Sequence, residues 1–107
     1  MFQKKSAIGY KPVIDKIEIK ILVHGNKTLM VEFRMKKGAL LPRHSHPHEQ
    51  TSYLISGSIN LTIDNETFNV KPGDSWCIDG DIEHSADILE DTVAVEVFSP
   101  VRDDYLP

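Results

Sequence analysis

Ile17-Glu18-Ile19-Lys20-Ile21-Leu22-Val23 and Leu29-Met30-Val31-Glu32-Phe33-Arg34-Met35 carry the clearest structural signal in the chain. Ile17, Ile19, Ile21 and Val23 share one face, with Glu18 and Lys20 opposite. Leu29, Val31, Phe33 and Met35 repeat the arrangement against Glu32 and Arg34. A period of two belongs to strands with one buried face. Working outward, Ile59, Leu61 and Ile63 alternate with Asn60, Thr62 and Asp64 in the same way. Turn formers punctuate the runs at Gly25-Asn26, Gly38, Gly57-Ser58, Asp64-Asn65, Pro72-Gly73 and Gly80-Asp81. Short strands at intervals of about 8–12 residues predict an all-β sandwich or barrel. No segment shows a helical stripe, and Asp87–Asp91 has room for one short turn only. Residues 1–14 read as an N-terminal arm, 15–98 as the barrel and 99–107 as a C-terminal tail of a single domain.

With 107 residues there is room for one core, and 40% hydrophobic with 26% charged residues is a globular composition. A domain this small is marginally stable, so a bound metal or a second subunit would strengthen it. The net charge is -4, and no basic cluster is denser than Lys36-Lys37. Nucleic acid and anionic membrane are therefore not expected partners, because both need a concentrated basic surface. Cys77 is the single cysteine, which rules out an intramolecular disulfide and suits a reducing compartment. The start, MFQKKSAIGYKP, holds no apolar run of signal-peptide length. Nor does any apolar stretch approach the roughly 18 residues of a bilayer span. The expected location is the cytoplasm.

Three of the five histidines fall in Arg43-His44-Ser45-His46-Pro47-His48-Glu49-Gln50. Residues two apart in a strand project from the same face, so His44 and His46 can present two imidazoles to one ion. Pro47 removes a ladder hydrogen bond and bends the strand, leaving open whether His48 or Gln50 returns to that side. His84 is close enough in sequence to arrive from a neighbouring strand. A lone histidine such as His24 reads as a surface residue, and a bare His-x-His pair is too short a motif to assign a metal by itself.

The wider pattern resembles the cupins. Gly38, His44, His46, Gln50 and Gly57 fit the first cupin motif, G(x)5HxH(x)3-4E(x)6G, with Gln in place of the usual Glu. Gly73 and His84 fit the second, G(x)5PxG(x)2H(x)3N, where Asp79, Asp81 and Ile88 replace the proline, glycine and asparagine. The resemblance implies a cupin jelly-roll β-barrel holding one divalent metal on His44, His46, Gln50 and His84. Three neutral imidazoles and an amide leave the ion its full positive charge. Nitrogen-rich ligation admits Ni, Zn, Fe, Mn or Cu.

A narrower likeness lies in His44-Ser45-His46-Pro47-His48-Glu49-Gln50 and in Val97-Phe98-Ser99-Pro100-Val101-Arg102-Asp103-Asp104-Tyr105-Leu106. Both resemble the KdgF-type pectin-degradation cupins, which carry HSHPHEQ and a tail of the form DVFSPPREDYL. The likeness implies an isomerase of uronate catabolism. Its substrates are 4,5-unsaturated monouronates from pectin or alginate breakdown, converted to linear 4-deoxy-5-keto-uronate. Such chemistry needs an electrophile for oxygen, a proton shuttle and a carboxylate clamp.

Glu96 is the candidate shuttle, at a position where the family pattern has Asp. Periodicity alone places the valines of Thr92–Phe98 on the core face and Glu96 outside; the resemblance turns Glu96 inward. Arg102 is the candidate clamp for the substrate carboxylate, against a plain tail arginine paired with Asp103 or Asp104. Phe98 is either an apolar wall for the sugar or ordinary core. Tyr105 lies near the pocket or anchors the tail. Trp76 and Cys77 read as packing, and His48 and Glu49 as rim residues around the ligands.

Two other functions fit the same metal site: a non-catalytic sugar-binding or sensing cupin, and a cupin dioxygenase with a redox metal. The resemblance also implies a homodimer. Tyr53 and Ile55 stand opposite in parity to Gln50, so an inward Gln50 leaves them outside and in need of cover, from a second subunit or from the N-terminal arm.

Overall fold

Every predicted alternation becomes a strand in the computed structural model, which describes residues 1–107. The elements are β1 (Lys11–Ile14), β2 (Ile17–His24), β3 (Leu29–Met35), β4 (Leu40–His44), β5 (Glu49–Ser56), β6 (Ile59–Ile63), β7 (Glu66–Val70), β8 (Ser75–Ile78), β9 (His84–Ile88) and β10 (Thr92–Ser99), followed by a 3-10 turn at Asp103–Tyr105. There is no α-helix, and so no helix long and apolar enough to cross a membrane. Six strands form one sheet in the order β1-β2-β3-β10-β5-β8, and four form a second in the order β4-β9-β6-β7. All neighbours are antiparallel. Two facing antiparallel sheets joined by crossing connections make the expected jelly-roll barrel.

Alternation places the core between the sheets. Leu29, Val31, Phe33 and Met35 of β3 meet Ile17 and Ile19 of β2, Leu61 of β6 and Ile88 of β9 in one buried cluster. Each such side chain contributes roughly 1.5–3 kcal/mol on burial. The turn signals also hold. Asp64 follows β6 with φ 53°, and Gly73 precedes β8 with φ 93°.

Two expectations are corrected. Asp87 and Ile88 do not turn; they complete β9, with Ile88 buried. The core face that periodicity alone assigns to the valines of β10 does not hold either, and Glu96 points inward as the family resemblance implies. Thr92, Ala94, Glu96 and Phe98 point into the barrel, whereas Val93, Val95 and Val97 are half-buried on the outer surface. β10 lies in the middle of the larger sheet, between β3 and β5. Its outer side chains are flanked on both sides, so β-branched residues suit that face too.

Gly57, between β5 and β6, has φ 97°, and a Cβ there would overlap the Asp91 carbonyl and Thr92. Gly57→Ala combines left-handed strain with overpacking, together about 2–4 kcal/mol. The melting temperature should fall by about 10 °C or more. A drop under about 2 °C would contradict this account of the turn.

The N-terminal segment does not cover the outer face near β5. Tyr10 instead lies against β2 and β3, hydrogen-bonded to Glu32 and stacked under Arg34 at 4.2 Å. Tyr53 and Ile55 remain 50% and 49% exposed.

Candidate metal centre

The antiparallel pairing of β4 with β9 sets His44 directly opposite His84. The pleat does not bring in His46, because β4 ends at His44 and His46 lies in the bend leading to β5. There the Asp81 N–H donates to the His46 carbonyl at 2.8 Å and holds the bend against the β8–β9 loop. Gly80 permits the approach, since a Cβ there would overlap the Pro47 carbonyl. Asp81 keeps the left-handed backbone, φ 68°, for which the cupin motif uses glycine. Aspartate is among the few side chains that tolerate it.

The ligand atoms of His44, His46 and His84 lie within 4.8 Å of one another. Each Nδ1 faces a backbone carbonyl: His44 to Pro42 at 2.7 Å, His46 to His48 at 3.0 Å and His84 to Ile82 at 2.9 Å. A carbonyl only accepts, so each Nδ1 carries the proton and each Nε2 keeps its lone pair. Burial keeps two of the rings neutral. It lowers the basicity of His46, with the Arg102 charge adding to the effect, and it lowers His84 to about 4.

Gln50 returns from the bend on β5, buried at the bottom of the cluster. Its amide nitrogen donates to Glu96, which turns its Oε1 toward His46 Nε2 at 3.1 Å. Two acceptors at that separation repel unless a positive charge lies between them. Neutral imidazoles with free lone pairs, plus an amide oxygen, are a donor set for a divalent transition metal. The residues present therefore fit such an ion. His48 does not join them; its ring nitrogens are not among the clustered ligand atoms, and its Nδ1 has no partner.

The cavity beside the histidines is lined by Gln50, Glu96, Phe98, Arg102, Tyr105 and Trp76 among others. Glu96, 6% exposed, points inward and accepts from Gln50 and, at 2.9 Å, from Ser52. Burial pushes its carboxyl up to about 7, against the opposing pull of these hydrogen bonds and of Arg102. Its protonated and ionised forms are thus close in energy near neutral pH. Phe98 is both core and wall: it is 1% exposed, and its ring meets that of His46 edge-on at 5.7 Å. Arg102 reaches the same cavity although it is paired with Asp104. Tyr105 lines it as well.

Ser52 was not foreseen. Its signal is parity, since it stands two residues beyond Gln50 on β5 and directly across from Glu96 of β10. Trp76, across from Ser52 on β8, packs against the core and also lines the cavity. A second group of ligand atoms, from Glu49, Cys77 and Asp79, also gathers within 4.8 Å, but all three side chains are exposed. Burial and the two neighbouring carboxylates push the Cys77 thiol up, away from the thiolate form.

A two-sheet β-barrel with an imidazole cluster at one end is the architecture of the cupins, and the cupin domain family model matches residues 31–100. This chain belongs to that family. Within it, the chain is similar to the pectin degradation protein KdgF of Dickeya dadantii (strain 3937), at 31% identity over 94 residues and 86% of each chain. The structure of KdgF from Halomonas sp. superposes with a TM-score of 0.87 at 30% identity, over 91% of this chain and 92% of that one. An RmlC-like cupin from Shewanella frigidimarina NCIMB 400 shares the fold, with a TM-score of 0.93 at 23% identity over 98% and 95% of the two chains.

Proposed function

We propose that this protein is a metal-dependent isomerase that opens 4,5-unsaturated monouronates to linear 4-deoxy-5-keto-uronate. The observation that carries the reading is convergence. Three imidazoles with free lone pairs, a buried carboxyl and an arginine line one cavity. The KdgF relatives, one of which is named for pectin degradation, support the same reading.

His44, His46, Gln50 and His84 would hold the ion, which when bound supplies Lewis acidity toward substrate oxygens. The reaction is a net isomerisation. The anomeric hydroxyl loses a proton as its carbon becomes a carbonyl, and the bond from that carbon to the ring oxygen breaks. The ring oxygen becomes that of an enolate, and carbon 4 then takes a proton as carbon 5 becomes a ketone. Glu96 serves both transfers: it accepts at the anomeric oxygen and returns a proton at carbon 4. Ser52 and Gln50 fix its carboxyl in the barrel. Arg102 binds the substrate carboxylate and Phe98 walls the ring.

Purified protein given lyase-generated unsaturated monouronate should remove the absorbance of the conjugated double bond faster than a chelator-treated control. Equal rates in both would end the reading. The same proposal places the protein in the cytoplasm as a homodimer, with Tyr53 and Ile55 covered by a second copy. Light scattering should then report about twice the 12.1 kDa chain mass, and Tyr53→Glu should shift it toward monomer. A wild-type mass of one chain would remove the dimer.

A further inference from the structure

The last turn of the chain is organised around one guanidinium. Arg102 stands immediately before the 3-10 turn, its side chain only 13% exposed. Its Cζ lies 4.0 Å from the centre of the Tyr105 ring and 5.0 Å from that of Phe98. Nε donates to Oδ1 of Asp104 at 3.2 Å, and one terminal nitrogen donates to Oδ2 at 2.8 Å. The other terminal nitrogen donates to the Tyr105 hydroxyl at 3.1 Å. The turn is tied down in its own right, because Lys11 of β1 donates to the Tyr105 carbonyl at 2.6 Å.

A guanidinium has five N–H groups. Asp104 and Tyr105 use three, leaving one on each terminal nitrogen, a pair that a single carboxylate can bridge. Tyr105 has a hydrogen to spare as well. Its hydroxyl accepts from Arg102, no protein acceptor takes its own proton, and the residue lines the same cavity. Burial pushes the phenol up to about 12, so the proton stays on.

We propose that Asp104 is a positioning residue and Tyr105 a second donor in the substrate-carboxylate site. Asp104 grips the side of the Arg102 fork so that the remaining pair of N–H groups is held at the cavity, and the Tyr105 hydroxyl donates beside them. The ligand class is a carboxylate whose sugar oxygens reach the imidazole cluster. This rests on the reading of Arg102 as the clamp. The charge of Asp104 works against it, since a carboxylate close to an anion site repels the anion. Positioning and mere neutralisation therefore predict opposite signs when Asp104 is removed.

Steady-state kinetics on lyase-generated unsaturated monouronate separate the two. Asp104→Ala should raise KM about 10-fold while kcat changes less than about 3-fold, and Asp104→Glu should recover most of the loss. Tyr105→Phe, which keeps the ring, should raise KM about 3- to 10-fold. In an Arg102→Ala background, Asp104→Ala should add nothing. Asp104 is an exposed side chain, so its variants should melt with the wild type and keep their metal content. An unchanged or lowered KM in Asp104→Ala would overturn the positioning role, and an unchanged KM in Tyr105→Phe would overturn the second donor. An unchanged KM in Arg102→Ala would instead remove the clamp itself, a separate failure visible in a separate variant.

Discussion

Glu96→Gln should lower kcat by about 10²- to 10⁴-fold on unsaturated monouronate and leave substrate affinity within a few-fold, the range expected when a general acid–base group is removed. The substitution is close to isosteric, and the new amide oxygen still accepts from Gln50 and Ser52, the two partners that hold Glu96 now. Packing is therefore kept and only proton transfer is lost. A single-turnover assay beside a binding titration checks both halves. A loss of less than about 5-fold would remove Glu96 from the proton pathway, and a protein that binds the sugar equally with either residue but turns over neither is a binding cupin.

The second large effect concerns the ligands. Removing His84 takes away the imidazole that lies directly across from His44, with 4.2 Å between ring centres. His84→Ala should retain less than a tenth of the wild-type metal and lose activity by at least about 100-fold, since even supporting residues at metal sites cost 10- to 100-fold. The two proteins should also respond differently to added ion. At a free concentration about 100 times Kd, the wild type gains roughly 2.7 kcal/mol, or on the order of 10–20 °C in melting temperature. His84→Ala should gain almost nothing. Thermal melts with and without Ni or Zn measure this, and an equal shift in both proteins would mean that the ion binds elsewhere.

Much of this site is legible in the sequence. His44, His46, Gln50 and His84 stand at motif spacing, and β-strand parity alone requires Tyr53 and Ile55 to face out when Gln50 faces in. What the residues conceal is direction. Glu96 lies in a run of valines, and hydrophobicity assigns the valines to the interior. In a barrel that holds a polar cavity the inner row can be Ala94-Glu96-Phe98, while a central strand flanked on both sides keeps valine on its outer surface. His46 illustrates a second limit. Its partnership with His44 looks like simple strand alternation, yet it depends on a bend held by Asp81 and allowed by Gly80 from another loop. The part played by Asp104 is hidden for a third reason. An aspartate two residues from an arginine reads as a surface pair, and only the fold shows that the arginine it holds lines the cavity.

Anomalous X-ray scattering, recorded at the absorption edge of the ion that copurifies, tests the centre most directly. The account predicts one peak per chain, at coordination distance from Nε2 of His44, His46 and His84 and on the side faced by Oε1 of Gln50. A peak elsewhere, or one that leaves His84 out, would contradict it.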